Sequence, residues 1–233
     1  MIEKILPDVV ASVEAFDDPQ DAVLFPEEEV VISRAAEKRR REFRTVRHCA
    51  RLALGELGIS PVAVLPGEHR EPLWPPEIVG SMTHCAGYRA AAVAHRRDLL
   101  SLGIDAEPHE PLPAGVLDVI ALDEERARLT GLAAGERAHS WDRILFCAKE
   151  AVYKTWFPLT RRWLGFQDAA VTIDPAEGTF SARLLVTGPT IAGEPLRRFE
   201  GRWLTGDGLV VTAIAVGHPD DRVYPGSPSG LPA

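Results

Sequence analysis

The stretch FCAKEAVYKTWF, residues 146–157, sets one carboxylate, Glu150, between two lysines, Lys149 and Lys154. At helical spacing, Phe146, Glu150, Tyr153 and Phe157 share one face. Burying a charge beside aromatic rings is costly unless something pairs with it. The plain explanation is an i, i+4 salt bridge from Glu150 to Lys154, worth about 0.3–0.5 kcal/mol on a helix surface. Two facts oppose it: Lys149 adds a second cation, and the shared face is aromatic. A carboxylate so placed suits a position where a metal ion and a phosphate meet.

Three other groups could do chemistry. In GIDAEP, Asp105 and Glu107 stand two apart on a strand, so both carboxylates point the same way. A hard cation on oxygen ligands would relieve their repulsion. Taken alone, the pair favours the plainer reading of a solvated strand end stopped by Pro108, since two acids at this spacing are common by chance. In SMTHCAGY, Thr83 and His84 at a strand end offer donors to an anion. Cys85 beside His84 raises a Cys–His nucleophile, but strand neighbours point to opposite faces and a catalytic pair needs hydrogen-bond reach. Finally, Arg40, Arg44, Arg47 and Arg51 fall at helical spacing with Arg39 and Arg41 beside them. So concentrated a stripe repels itself unless phosphate meets it.

The elements that must position these groups are legible in outline. FPEEEVVISRAAEKRRREFRTVRHCARLALGELGI reads as one long helix, begun by Pro26 and three acids and ended by Gly58. Phe43, Val46, Ala50, Leu54 and Leu57 form its buried face. A proline-rich loop follows. Strands are then expected around Ile78–Met82, Arg89–His95 and Leu100–Glu107, as an antiparallel meander. The second half repeats the order. Short helices over 113–132 precede a long helix from about Ser140 to Phe157, with Trp141, Leu145, Ala148 and Val152 on its core face. Four strands follow, the last two joined at Gly206–Gly208. The expected architecture is α/β (α+β): two similar lobes in a pseudo-twofold arrangement, each a long helix on a small, mainly antiparallel sheet. Residues 1–108 form the first lobe, 109–217 the second and 218–233 a flexible tail, with the active site between the lobes.

Composition bounds the function. The 233 residues are 45% hydrophobic and 26% charged, as in ordinary globular proteins. No apolar run approaches the ~20 residues needed to cross a bilayer, and the acidic start does not read as an export signal. Three cysteines without a CxxC pair argue for reduced thiols and a cytoplasmic address. The net charge is −8, yet residues 38–51 alone carry +6, which leaves −14 elsewhere. Such a basic patch on an acidic body suits one small polyanion, not a nucleic-acid backbone.

Together, KRRREFRTVRHCARLAL, VGSMTHCAGYRAAAV, GIDAEP, WDRILFCAKEAVYKTWFP and WLGF resemble the phosphopantetheinyl transferases of the large, two-lobed Sfp/EntD type, in the PptT-like branch. The order of GIDxE followed by (F/W)xxKEAxxK carries the resemblance; each half alone is weak. It implies transfer of the 4′-phosphopantetheine arm of coenzyme A to a serine of apo acyl or peptidyl carrier domains, with release of adenosine 3′,5′-bisphosphate. Such carriers serve fatty-acid, polyketide or nonribosomal-peptide synthesis, including siderophores and other secondary metabolites. It further implies Mg2+, with Mn2+ as a substitute, held by Asp105, Glu107 and Glu150. Glu150 would be the base for the carrier serine, assisted by Lys149. Arg39, Arg47, Thr83, His84, Lys149 and Lys154 would hold coenzyme A, with Arg51 added from the stripe. The expected partners are coenzyme A and carrier domains, without nucleic acid or membrane, and the expected state is a monomer. Where many relatives have a lysine before the loop proline, this chain has Glu71, with His69 and Arg70 as substitutes. The alternative is a catalytically silent module binding coenzyme A or a nucleotide, which would not need three converging carboxylates.

Overall fold

In the computed structural model, residues 1–135 and 139–219 are described. A 3₁₀ turn at Ile2–Ile5 leads into β1 (Ala11–Ala15), then α1 (Pro26–Ile32) and α2 (Glu37–Glu56). After the loop come β2 (Ile78–Cys85), β3 (Tyr88–His95) and β4 (Leu99–Pro108). The second half holds α3 (Val116–Ile120), α4 (Asp123–Ala133) and α5 (Trp141–Thr160), then β5 (Ala169–Asp174) and β6 (Thr179–Leu184). A two-residue pair, β7 (Thr190–Ile191) and β8 (Glu194–Pro195), precedes β9 (Arg198–Gly206) and β10 (Leu209–Gly217).

Two helix-on-sheet units result. The first sheet has the order β1-β3-β2 and the second β4-β10-β9-β6-β5, all pairs antiparallel. On the first, Cys49, Ala50, Ala53 and Leu54 of α2 pack on Ile78, Ala91 and Val93. On the second, Ile144, Leu145, Ala148 and Val152 of α5 pack on Phe180, Phe199, Val210 and Ile214. Alternate residues of β3 face the other way: Tyr88, Ala90 and Ala92 join Ile104, Ala106, Val211 and Ala213 in a core between the sheets. The mixed fold with its antiparallel sheets and a long helix on each agrees with the expected class.

Four details differ from the sequence expectations. The single long helix is two, because the chain turns at Ser33–Ala36. In a continuous helix Glu28 and Arg51 would lie about 34 Å apart. Here their side chains bond at 3.0 Å, since α1 folds back along α2. The end at Gly58 is as expected: its φ is +76°, and the Ile59 and Gly58 N–H groups bond to Leu54 and Gly55 carbonyls. A strand not foreseen, β1, occupies the edge of β3 that a meander would leave for β4. With β2 on the other edge, β3 has no room, and β4 pairs instead with β10. A boundary after residue 108 therefore assigns to the first lobe a strand whose ladder lies in the second sheet. Most of the expected tail, residues 220–233, lies outside the described residues.

Candidate active site

α5 approaches β4 unusually closely, and one residue permits it. A Cβ on Gly103 would stand 2.2 Å from Thr155 Oγ1 and 2.4 Å from the Ala151 carbonyl. Ser101 reinforces the contact by donating to the Thr155 carbonyl at 2.7 Å. This docking sets Glu150 and Lys154 against Asp105, which follows two residues after the glycine. Beside them opens a pocket of about 730 Å3. Its walls include Arg39 and Arg47 of α2, Thr83 and His84 of β2, Asp105 of β4, and Glu150, Tyr153 and Lys154 of α5.

Asp105 is 5% exposed and its two oxygens differ. Oδ1 accepts from Lys154 Nζ at 2.7 Å and Thr83 Oγ1 at 3.1 Å. Oδ2 is buried without a partner. Glu107 is held by Arg143, whose Nη1 donates to Oε2 at 3.0 Å. Burial and then the Asp105 charge raise the Glu107 carboxyl to about 7, against the lowering effect of Arg143 and Lys154. The Glu150 carboxylate makes no hydrogen bond or ion pair among the described residues, and burial followed by Asp105 raises its pKa. The orphan oxygen of Asp105, the unpaired Glu150 carboxylate and Glu107, whose ionisation Asp105 also opposes, are oxygen donors of the kind a hard divalent cation takes. Among the described residues, no group of three or more His, Cys, Asp or Glu side chains stands together as a metal-holding cluster. Lys154 and Arg143 occupy one oxygen each of Asp105 and Glu107.

The opposite wall is basic. Arg39 donates to His84 Nε2, which leaves the ring hydrogen on Nδ1, 3.6 Å from Glu42 Oε2. Burial and then the neighbouring Arg39 lower His84 to about 4, so the ring is neutral near pH 7. Arg39 is 48% exposed and faces the pocket. Arg47 reaches the same wall but is nearly enclosed. Its Nε donates to the Val64 carbonyl at 2.9 Å and lies 3.7 Å from Glu28, and its guanidinium sits 3.2 Å above the Phe43 ring. Burial lowers Arg47 to about 10.

Four expectations for single residues are corrected by placement. Lys149 does not face the pocket: Nζ pairs with buried Glu125 at 2.9 Å and donates to the Phe166 and Ala169 carbonyls. Its geometry is that of a strut between α5, α4 and β5, without contact to the site. Arg51 likewise turns away, onto Glu28 and the Val23 carbonyl. Lys154, expected to hold coenzyme A, lies at the site but is bonded to Asp105; the plain i, i+4 bridge to Glu150 is not formed, as the opposing facts required. Thr83 lines the pocket with its hydroxyl already donated to Asp105. The Cys–His alternative loses its nucleophile, because burial and then Glu107 push the Cys85 thiol up to about 12.

Two contributors escaped the sequence reasoning. Arg143 lies seven residues before Glu150, two helical turns along the same face, and that spacing was the available signal. Arg161 comes from beyond the helix end to meet Glu71 at 3.0 Å on the pocket wall. The loop position that carries an acid here is thereby given a cation from the residue that follows α5, while His69 and Arg70 also line the pocket.

Two family models match the chain. The 4′-phosphopantetheinyl transferase N-terminal domain covers residues 27–94, and the 4′-phosphopantetheinyl transferase superfamily covers residues 101–203. The chain is 54% identical to 4′-phosphopantetheinyl transferase Svp of Streptomyces mobaraensis, over 94% of this chain and 90% of that protein. It is 50% identical to 4′-phosphopantetheinyl transferase PptT of Mycobacterium tuberculosis, over 93% and 98%. Enterobactin synthase component D of Salmonella typhimurium is 30% identical, over 83% and 80%.

Proposed function

Because the chain belongs to the 4′-phosphopantetheinyl transferase superfamily, we propose that it moves the 4′-phosphopantetheine arm of coenzyme A onto a serine of apo acyl or peptidyl carrier domains. The serine oxygen forms a bond to the β-phosphorus, and the bond from that phosphorus to the oxygen of adenosine 3′,5′-bisphosphate breaks. The serine proton passes to Glu150, directly or through a water. The observation that carries this reading is Glu150 itself, unpaired beside the unpartnered oxygen of Asp105 and facing a basic wall. Its raised pKa brings the carboxylate toward the range useful to a general base.

Asp105, Glu107 and Glu150 would hold Mg2+, or Mn2+ in its place. When bound, the ion neutralises charge on the transferring and leaving oxygens. Arg39 and His84 meet the nucleotide phosphates, with Arg47 behind them. The neutral His84 ring gives up its contact with Arg39 when an anion competes for the guanidinium. Lys154 adds positive potential at the pocket floor while remaining on Asp105. One chain supplies both walls, which suits a monomer, and unpaired thiols suit the cytoplasm. No helix among the described residues is long and apolar enough to cross a membrane. The relation to enterobactin synthase component D supports siderophore synthesis as one pathway served.

The test is mass spectrometry of apo carriers incubated with coenzyme A and metal. One carrier serine should gain one phosphopantetheine, only when both are present. Tight coenzyme A binding with every carrier left apo would establish the silent binding module instead.

A further inference from the structure

The two sheets meet along β2 and β4, where no backbone ladder joins them. The N–H groups of β4 that face β2 are buried and need acceptors. Side chains two apart on β2 provide them. The Ile104 N–H donates to Ser81 Oγ at 3.0 Å and the Ala106 N–H to Thr83 Oγ1 at 3.1 Å. Ser81 and Thr83 are each 3% exposed. The single Thr83 proton is donated to Asp105 Oδ1, so the hydroxyl has none left for a phosphate. From α5, Lys154 Nζ donates to the Met82 carbonyl of β2 (3.3 Å), the Ile104 carbonyl of β4 (3.1 Å) and Asp105 Oδ1 (2.7 Å). An ammonium has three protons, and all three are engaged.

We propose that Thr83, with Ser81 and Lys154, is a positioning device that closes the seam between the sheets and fixes Asp105 through Oδ1, which leaves Oδ2 as the oxygen available to a cation. Thr83 acts through Asp105 and does not touch substrate. The seam replaces ladder hydrogen bonds with side-chain bonds, so one hydroxyl both joins the lobes and fixes a metal ligand. Cation affinity and closure of the seam are then one coupled property. The metal half of this inference rests on the assignment of Asp105 as a metal ligand. The closing half rests on the hydrogen bonds alone.

Thr83→Val keeps the shape and removes both bonds, whereas Thr83→Ser keeps them. Mn2+ alone, followed by electron paramagnetic resonance, should bind about tenfold or more weakly to Thr83→Val, and Thr83→Ser should restore binding to within about twofold. Hydrogen exchange at the Ala106 amide should accelerate in Thr83→Val, and at the Ile104 amide in Ser81→Ala. Coenzyme A binding measured calorimetrically without metal should stay within about twofold for Thr83→Val, because no substrate contact is lost. Unchanged Mn2+ affinity together with lost metal-free coenzyme A binding would overturn the proposal and make Thr83 an anion ligand. Slow exchange at both amides in both variants would overturn the seam. Should Thr83→Val fail to fold, Thr83→Ala carries the same measurements, and Ser81→Ala still reads the exchange at Ile104. If the unsubstituted protein binds no Mn2+, the metal assignment of Asp105 and the metal half fall together. The exchange experiments still decide the closing half.

Discussion

α2 and α5 are both twenty residues long, and each carries several charges, some of which line the pocket. They treat those charges differently. On α2, Arg47 and Arg51 converge on one fully buried carboxylate, Glu28, and Arg39 alone stays half exposed on the pocket wall. On α5, Lys149, Lys154 and Arg143 each find an internal acid, and of the helix's own two acids Asp142 accepts backbone bonds while Glu150 is left without a partner. In both helices the satisfied charges build the frame. The charge that stays half exposed on α2 is positive, Arg39, which touches His84 and lies 3.8 Å from Glu42, whereas the one left unpaired on α5 is negative; the two face one pocket. A fully hydrogen-bonded ion is weak evidence of a ligand site, while an unsatisfied one beside a cavity is stronger.

The sharpest way to break this contrast is Glu150→Gln. Turnover should fall by about 10²–10⁴-fold, while metal-free coenzyme A binding persists. Near-normal turnover with a normal Mg2+ requirement would sink the assignment. Next comes the opposite kind of charge. Glu28→Gln leaves Arg47 and Arg51 without their counter-ion, and urea unfolding should show a loss of about 3–5 kcal/mol. A stability loss well below 1 kcal/mol would mean that α2 does not depend on that buried acid.

The arginines of α2 should then separate by exposure. Arg39→Ala is expected to weaken coenzyme A about tenfold more than dephospho-coenzyme A if it meets the 3′-phosphate, with added salt shrinking the gap. Arg47→Ala should cost stability as well as affinity, since its guanidinium supports the Val64 carbonyl. Equal losses for both nucleotides in Arg39→Ala would remove the 3′-phosphate from this wall.

A smaller effect concerns pH. His84 titrates at about 4 in the folded chain against 6.5 for the free side chain, because burial and Arg39 oppose its charge. Between those values the unfolded state binds the extra proton, so stability should fall as pH is lowered from about 6.5 toward 4. His84→Asn should flatten that part of a thermal-melting profile. An identical slope in the variant would place the titrating group elsewhere. The least effect is expected for Cys85→Ser, which should retain most activity and the same metal requirement. Lost turnover in a folded Cys85→Ser protein would revive a thiol mechanism.

What the sequence disclosed follows from periodicity. α5, its core face and the strands after it repeat at regular spacing, and Asp105 with Glu150 stood out because their neighbours made them costly. What it withheld depends on partners remote in the chain. Nothing near Lys149 announces Glu125, and nothing near Lys154 distinguishes Asp105 from the nearer Glu150. The arginine stripe was visible, but Glu28 lay within what read as the same helix, on the wrong side of a turn that periodicity passes over. β1 was missed because ASVEA is only five residues long, too short for the alternation of Ala11, Val13 and Ala15 with Ser12 and Glu14 to stand out. Its omission misplaced β4 as well.

The pairing of β4 with β10 bears on how the chain acquires its site during synthesis. The first sheet and α2 draw only on residues up to His95 and can gather as soon as that length has emerged. β4 follows immediately, yet its ladder partner is Leu209–Gly217, roughly a hundred residues later. Closing so long a loop is entropically unfavourable until the intervening helices and strands have collapsed. Asp105 and Glu107 therefore wait on an emerged but unpaired strand, and the site is assembled only when β10 arrives. A ribosome-bound chain halted before β10 should hold a formed first sheet and no site.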